Sequence, residues 1–260
     1  MHSEEDPLMQ AATVVILRRT LAKATTVKAG APTSGWDVLL GQNCVKNWLR
    51  STPGNDVIMR YPGEWKFPGG VIEDSDASLD QTATRELREE FLGVTAADSD
   101  ISLFLVNKKL TKPIKGKRYL MHNYIAMEDD NAWISESDIE SEINSNLQKR
   151  FDKFNAMLAD GSYWKLNVTE KSLVSPELST VQWMPLDDAI YAMGSSLDDR
   201  LICVNDWQRI EFEKYNIHAR DPMFQSMVTL LEVQKLGSYE KIRSQDDVMR
   251  ASNEPPSYYS

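Results

Sequence analysis

The chain is short of cysteine, histidine and positive charge, and each shortage closes off a class of function. Cys44 and Cys203 are the only cysteines in 260 residues and lack a C-x-x-C spacing, which argues for a reducing compartment and against a zinc site. The three histidines, His2, His122 and His218, are likewise scattered. Lys and Arg number 29 against 39 Asp and Glu, a net charge of −10, and that balance disfavours wholesale nucleic-acid binding. No apolar run approaches the roughly 20 residues that span a bilayer, so no membrane partner is expected. The opening Met1-His2-Ser3-Glu4-Glu5-Asp6 is acidic, unlike a secretory signal or transit peptide, and the cytoplasm is the expected location.

What is present suits one domain at the upper edge of single-domain size. Ala12–Leu17 and Trp36–Leu40 read as the first two strands, with a connection over Lys28–Gly35. Ile101–Lys109 and Tyr119–Met127 read as a pair of strands turning at Pro113–Gly116. Val181–Met184 reads as a further strand, and Pro185–Met193 opens a helix. Between them, 129–175 is polar, with Ile139, Ile143, Leu147, Phe151, Phe154 and Leu158 at helical spacing, which predicts a helical insertion. Residues 198–237, carrying Trp207, Ile210, Phe224, Met227, Leu230 and Leu231, read as helices that close the domain or form the face of a homodimer. The boundaries are then 8–243 for the domain and 244–260 for a disordered tail.

The informative stretch is Trp65-Lys66-Phe67-Pro68-Gly69-Gly70 followed by Arg85-Glu86-Leu87-Arg88-Glu89-Glu90. Ser78 and Gln81 have the spacing of a capping box, which starts a helix near Leu79. Ala83, Leu87 and Phe91 give that helix an apolar stripe, and Gly93 stops it. At about 3.6 residues per turn, Glu86, Glu89 and Glu90 fall on one arc. Like charges so spaced destabilise a bare helix. They become favourable around a hard divalent cation that prefers oxygen ligands. The other reading of the arc is a solvated acidic face.

These residues resemble the Nudix box: a glycine, a variable loop, then R-E-U-x-E-E and a terminal glycine, where U is a bulky aliphatic residue. Gly70 is its leading glycine, and Arg85, Glu86, Leu87, Glu89 and Glu90 follow in order. Fourteen residues separate Gly70 from Arg85, one more than is common, and Asp76 stands nearest the place of the loop glutamate. Two residues separate Glu90 from Gly93, again one more than is common. The resemblance implies an α/β fold, an αβα sandwich on a mixed central sheet, with the helical insertion and C-terminal helices added to it. It implies hydrolysis of a diphosphate linked to another moiety, with Mg²⁺ or Mn²⁺ held by Glu86, Glu89 and Glu90 beside Gly70. Arg85 would orient a box carboxylate through a charge-assisted, bidentate bond.

Other residues complete the expected site. The catalytic base is a box glutamate, Glu89 or Glu90, or a carboxylate from a later loop. Glu177 leads the second group, and Glu73 is the alternative. Lys108, Lys109, Lys112, Lys115, Lys117 and Arg118 reverse the local sign of an acidic chain, which nominates Lys112 and Lys115 for substrate phosphates or RNA. The plainer reading is a lysine hairpin that protects a sheet edge. Trp65, with Tyr61 and Trp183, is a candidate to stack on a base, against an ordinary core position.

The expected substrate is a small nucleoside diphosphate derivative. The Pro62–Glu86 spacing is similar to the coenzyme A diphosphatase branch, although Leu39-Leu40-Gly41-Gln42-Asn43 and Tyr61 depart from its upstream signature. A module that binds RNA or a partner with little catalysis is the alternative class, and the retained glutamates argue against it. Isopentenyl diphosphate isomerases also use this fold, but Cys44 lacks the context they need. Finally, Pro255-Pro256-Ser257-Tyr258 matches the P-P-x-Y ligand of WW domains, against a chance match in a short tail.

Overall fold

The computed structural model describes residues 8–20, 35–59, 62–92, 101–111, 116–135, 138–194, 224–252 and 256–258. Among them a mixed sheet runs β3-β2-β1-β6-β5-β8, with β4 also on β1 and β7 also on β2. Strand β1 (Leu8–Arg19) is apolar along both faces, as a strand covered on two sides must be. Ala12, Val14 and Ile16 enter one core cluster, and Val15 and Leu17 the other.

A fork in the sheet positions everything that follows. Strand β1 pairs antiparallel with β2 (Trp36–Asn43) only where Ile16–Arg19 meets Trp36–Leu39. Below that point the two strands part. Strands β3 (Trp65–Lys66) and β4 (Gly69–Val71) fill the gap, β3 on Gly41–Gln42 and β4 on Ala11–Thr13. Strand β6 (Arg118–Met127) runs parallel to β1 over ten paired positions, from Leu8↔Arg118 to Leu17↔Met127. Strand β5 (Phe104–Leu110) pairs antiparallel outside it, and β7 (Leu178–Pro185) pairs antiparallel with β2.

Helices cover both faces, which gives the αβα sandwich expected from sequence. On one face lie α1 (Leu79–Leu87) and α3 (Ile139–Ala159), which bury Ala83, Leu87, Ile139, Ile143 and Leu147. On the other lie α5 (Leu186–Gly194), α6 (Phe224–Leu236) and α7 (Tyr239–Ala251), which bury Leu186, Ala189, Leu230, Val233 and Ile242. Between β6 and β7 come α2 (Ala132–Ser135), α3, a 3₁₀ turn at Ser162–Lys165 and α4 (Val168–Val174). The rings of Trp48, Phe154 and Tyr163 meet edge to face at 4.8 and 5.0 Å, and the Tyr163 hydroxyl donates to Trp48 O. No helix among the described residues is long and apolar enough to cross a membrane.

The tail differs from expectation. Residues 239–251 are helical, with Ser238 capping the start by accepting from Lys241 N, so a boundary at 243 cuts a helix. Composition misleads here because α7 buries only Ile242 and is held by polar contacts to the edge of β5. Asp246 accepts from Leu105 N at 2.6 Å, Gln245 donates to Val106 O at 3.1 Å, and Arg250 donates to Leu103 O at 3.2 Å. Strand β8 (Ser257–Tyr258) then pairs parallel with Lys109–Leu110. Half of the P-P-x-Y motif is thus engaged in the sheet, and Pro255 lies outside the described residues. Of 198–237, α6 packs on α5 within the chain, with Gln234 donating to Asp187. Trp207 and Ile210 lie outside the described residues.

Candidate active site

The site grows from the fork. The chain leaves β4 at Val71, turns through Glu73–Asp76, and enters α1 where Ser78 accepts from Gln81 N at 3.2 Å. Gln81 reaches back one residue beyond the usual capping box, to Ala77 N. The helix buries Ala83 and Leu87, and at Arg88–Leu92 it loosens into one π turn that buries Phe91. A π turn accommodates an extra residue within a helix, and such turns recur at functional sites. It falls on Glu89 and Glu90, in the segment that is one residue longer than the common box.

Arg85 is the hub. Its Nε and Nη2 grip Asp76 at 3.1 and 3.0 Å, a bidentate pair, and Nη2 also donates to Val71 O. Its Nη1 donates to Glu86 at 2.8 Å and Glu89 at 3.3 Å. One guanidinium therefore locks the loop to the helix and fixes two box carboxylates. Asp76 also accepts from Thr82 Oγ1 and Glu73 N. The Arg85 bonds hold its carboxyl down at about 2. The bidentate bond of Arg85 goes to Asp76, and the box glutamates Glu86 and Glu89 each take a single bond.

Glu86 and Glu90 face inward, their side chains 14% and 11% exposed, whereas Glu89 is 57% exposed. Burial, then the negative charge of Glu90, push Glu86 up to about 7 against the pull of Arg85. Glu90 accepts from Gly69 N at 3.1 Å and from Lys66 Nζ at 2.5 Å. Burial works to lower the Lys66 ammonium, but Glu90, with Glu177 and Glu86, outweighs it and the net shift is upward. Glu177, the later-loop carboxylate, adds its charge to the field at both Lys66 and Glu90. In sequence Lys66 is one residue of the run before Pro68 and carries little signal of its own. The one available signal was a lone cation two residues ahead of the glycine loop of an acidic box.

Gly70 matters through its missing side chain. A Cβ at this position would overlap the Glu86 carboxylate, lying 2.5 Å from Cδ, so only glycine lets Glu86 rest against the strand. At Gly69 a Cβ would overlap Ala12 O and lie 2.8 Å from Thr13 Cα, so the backbones of β4 and β1 touch there.

Two expectations change. Trp65 is fully buried in the core with Val15, Leu17 and Phe67, because the fork encloses it on both sides, and a buried ring cannot stack on a ligand. Trp183 is 8% exposed and lies under the Arg18 guanidinium at 4.3 Å. Lys112, Lys115 and Tyr61 lie outside the described residues. Of the other hairpin cations, Lys109 is held by Glu232 at 2.6 Å and by Ser257, and the cations that bear most on Glu86 and Glu90 are Arg85 and Lys66. A cavity of about 360 Å³ between β5, α6, α7 and the tail, lined by Lys108, Lys109, Glu232 and Pro256, is separate from the box glutamates.

A family model described as NUDIX domain matches residues 50–144. That segment of the chain is a Nudix domain. Among curated proteins, none matches it in sequence. In fold it is similar to a NUDIX hydrolase from Alicyclobacillus acidocaldarius, with 14% identity, TM-score 0.43, and coverage of 91% of this chain and 96% of that one. It is also similar to the NUDIX domain of Shewanella oneidensis NrtR complexed with ADP ribose, with 16% identity, TM-score 0.34, and coverage of 70% and 76%. A third similar structure is a binary complex of C. elegans Ap4A hydrolase, with 17% identity, TM-score 0.31, and coverage of 70% and 84%.

A Nudix box implies a divalent cation, and the residues present suit one in chemistry. Glu86, Glu89 and Glu90 are hard oxygen donors, and the cleft left by Gly70 seats Glu86. Burial, with the charge of Glu90 beside it, raises Glu86, and Lys66 stands against Glu90 as a monovalent cation would. Among the described residues no three acidic or imidazole groups converge at ligating distance. Glu86, Glu89 and Glu90 are the residues that would hold such an ion, and it would supply charge neutralisation at a diphosphate.

Proposed function

We propose that this pyrophosphohydrolase cleaves the phosphoanhydride of a nucleoside diphosphate joined to another moiety, using Mg²⁺ or Mn²⁺ held by Glu86, Glu89 and Glu90. The observation that carries this reading is the Arg85 hub, which gathers Asp76, Glu86 and Glu89 beside the buried Glu90. Nothing in core packing asks for the carboxylates of Glu73, Asp76, Glu86 and Glu89 around one guanidinium at the end of a helix. Such an excess of negative oxygen is costly until a cation of higher charge neutralises it. When bound, that cation supplies charge neutralisation at the diphosphate and a more acidic water. Arg85 holds Glu86 and Glu89 in position, Lys66 bonds Glu90, and Glu177 is the candidate to accept a proton from the attacking water.

The substrate class is broader than one compound. Coenzyme A and its acyl derivatives remain the specific candidate from the Pro62–Glu86 spacing. Incubation with coenzyme A, NADH, ADP-ribose, inositol pyrophosphates and capped RNA, with Mg²⁺ or Mn²⁺, should give cleavage in at least one case, and its position names the branch. Glu89→Gln and Glu90→Gln should each abolish that cleavage. One observation favours a second reading. Because Lys66 already neutralises Glu90, a module that binds RNA or a protein partner without turnover would retain this arrangement. Tight binding of one of these compounds with no cleavage by the wild type would decide for it.

A further inference from the structure

The insertion is tied to the sheet in a register that carries one of its side chains to the box. Glu140 of α3 accepts from Trp183 N at 3.0 Å. Asn144 donates to Val181 O and accepts from Val181 N, both at 2.9 Å, and accepts from Thr180 Oγ1 at 3.0 Å. Four helix residues rise about 6 Å and two strand residues about 6.6 Å, so α3 and β7 run in opposite senses at matching pace. Six residues further along α3, about 9 Å, stands Arg150. It is therefore level with Leu178, just past Glu177. A Cβ on Gly41 would lie 2.9 Å from Leu178 Cδ1 and 3.0 Å from the Phe91 ring. The π turn that carries Glu89 and Glu90 thus reaches the same place.

Arg150 is poorly satisfied there. Its Nη2 donates to Ser172 O at 3.0 Å, and its Nε is buried without a partner. A guanidinium has five N–H donors, and a withdrawn cation is costly unless they are met. Burial lowers its affinity for a proton, and the negative charges of Glu177 and Glu90 oppose this. Among the described residues no carboxylate is within ion-pair distance of Arg150. The guanidinium thus lies in the field of two acids without an ion-pair partner among the described residues.

We propose that Arg150 binds a phosphate group of the substrate, so that the helical insertion completes the site on the Glu177 side. A planar fork suits two phosphate oxygens at once. The proposal rests on the hydrolase reading above, and one titration separates their failures. The probe is imidodiphosphate, whose bridging nitrogen resists hydrolysis, titrated calorimetrically into the full chain with Mg²⁺. The wild type binds it. Arg150→Ala binds about tenfold or more weakly, as loss of a charge-assisted bond predicts, while Arg150→Lys keeps part of the affinity. Arg150→Gln retains a donor for Ser172 O and loses the charge, so it should melt like the wild type and still bind weakly. Binding of Mn²⁺ alone should be the same in all four proteins. Full affinity in the Ala and Gln variants would overturn the assignment of Arg150 and leave the hydrolase reading standing. No binding by the wild type would overturn both.

Discussion

Alanine at Gly69 and alanine at Gly70 should injure the protein in two separable ways. At Gly69 the new methyl meets backbone, Ala12 O and Thr13 Cα of the central strand, and neither can move without disturbing β1 and its pairing to β6. Overpacking of this kind costs roughly 1–3 kcal/mol, and a chain of this size loses about 2–4 °C in Tm per kcal/mol. At Gly70 the methyl meets only the Glu86 carboxylate, the free end of a long side chain. Glu86 can swing away, losing its 2.8 Å bond to Arg85, and water replaces much of that bond, so the net cost is about 1 kcal/mol or less. The displaced carboxylate is, however, one of the three oxygen donors proposed for the cation. Gly70→Ala should therefore keep nearly the wild-type Tm while Mn²⁺ affinity and turnover fall at least about tenfold, and Gly69→Ala should lower Tm with Mn²⁺ affinity largely kept. Thermal unfolding by circular dichroism with and without EDTA, beside calorimetric Mn²⁺ titration, reads both. Gly70→Ala with unchanged Mn²⁺ affinity would refute the seat for Glu86. Equal loss of Tm in the two variants would refute the distinction.

Further outcomes follow from the same contacts. Lys66→Met leaves buried Glu90 without its cation, which costs about 3–5 kcal/mol; the variant should be unstable in EDTA and recover with Mn²⁺, and equal Tm under both conditions would contradict the role given to Lys66. Glu86 stands raised at about 7, so its stabilising share is full below about 4.3 and is lost as pH rises through 7. Mn²⁺ binding at pH 6 should therefore expel close to one proton, and calorimetry in buffers of different ionisation heat should detect it; no release would count against that titration. Asp76 is depressed to about 2, so its contribution persists above about 3.9 and disappears as pH falls through 2; Asp76→Asn should lower Tm at pH 7 and shrink the acid-induced loss, and an unaltered acid limb would exclude it as the source. Trp65→Ala should cost about 3–5 kcal/mol of stability and leave KM for the residual folded enzyme unchanged, whereas a raised KM at full stability would restore the stacking role.

The box could be read from sequence because each of its signals is local. Ser78, Ala83, Leu87 and Phe91 state a capped amphipathic helix by spacing alone, and Arg85 stands one turn before Glu89. What could not be read depends on non-local pairing. Alternation along Trp65-Lys66-Phe67 shows two faces, but only the parting of β1 from β2 determines that Trp65 is enclosed and that Lys66 reaches Glu90. The π turn was visible as one residue too many before Gly93, yet nothing in the spacing said whether the helix or the following loop would absorb it. Arg150 sits in a polar helix where its neighbours in sequence are solvated, and its place by Glu177 comes from Glu140 and Asn144 gripping β7. Tail composition suggested disorder because α7 is stabilised by carboxylate and amide side chains bonding to strand backbone, which hydrophobic patterning does not register.

The way α7 meets β5 governs how this protein can be shortened. Asp246 and Gln245 occupy the outward main-chain groups of Leu105 and Val106, and β8 occupies those beyond, so the last strand of the sheet never offers a bare flank to another molecule. A version ending at residue 243 would strip away both guards while leaving the fork and the box glutamates intact. Such a chain should still turn over substrate when dilute and should self-associate, strand upon strand, as concentration rises.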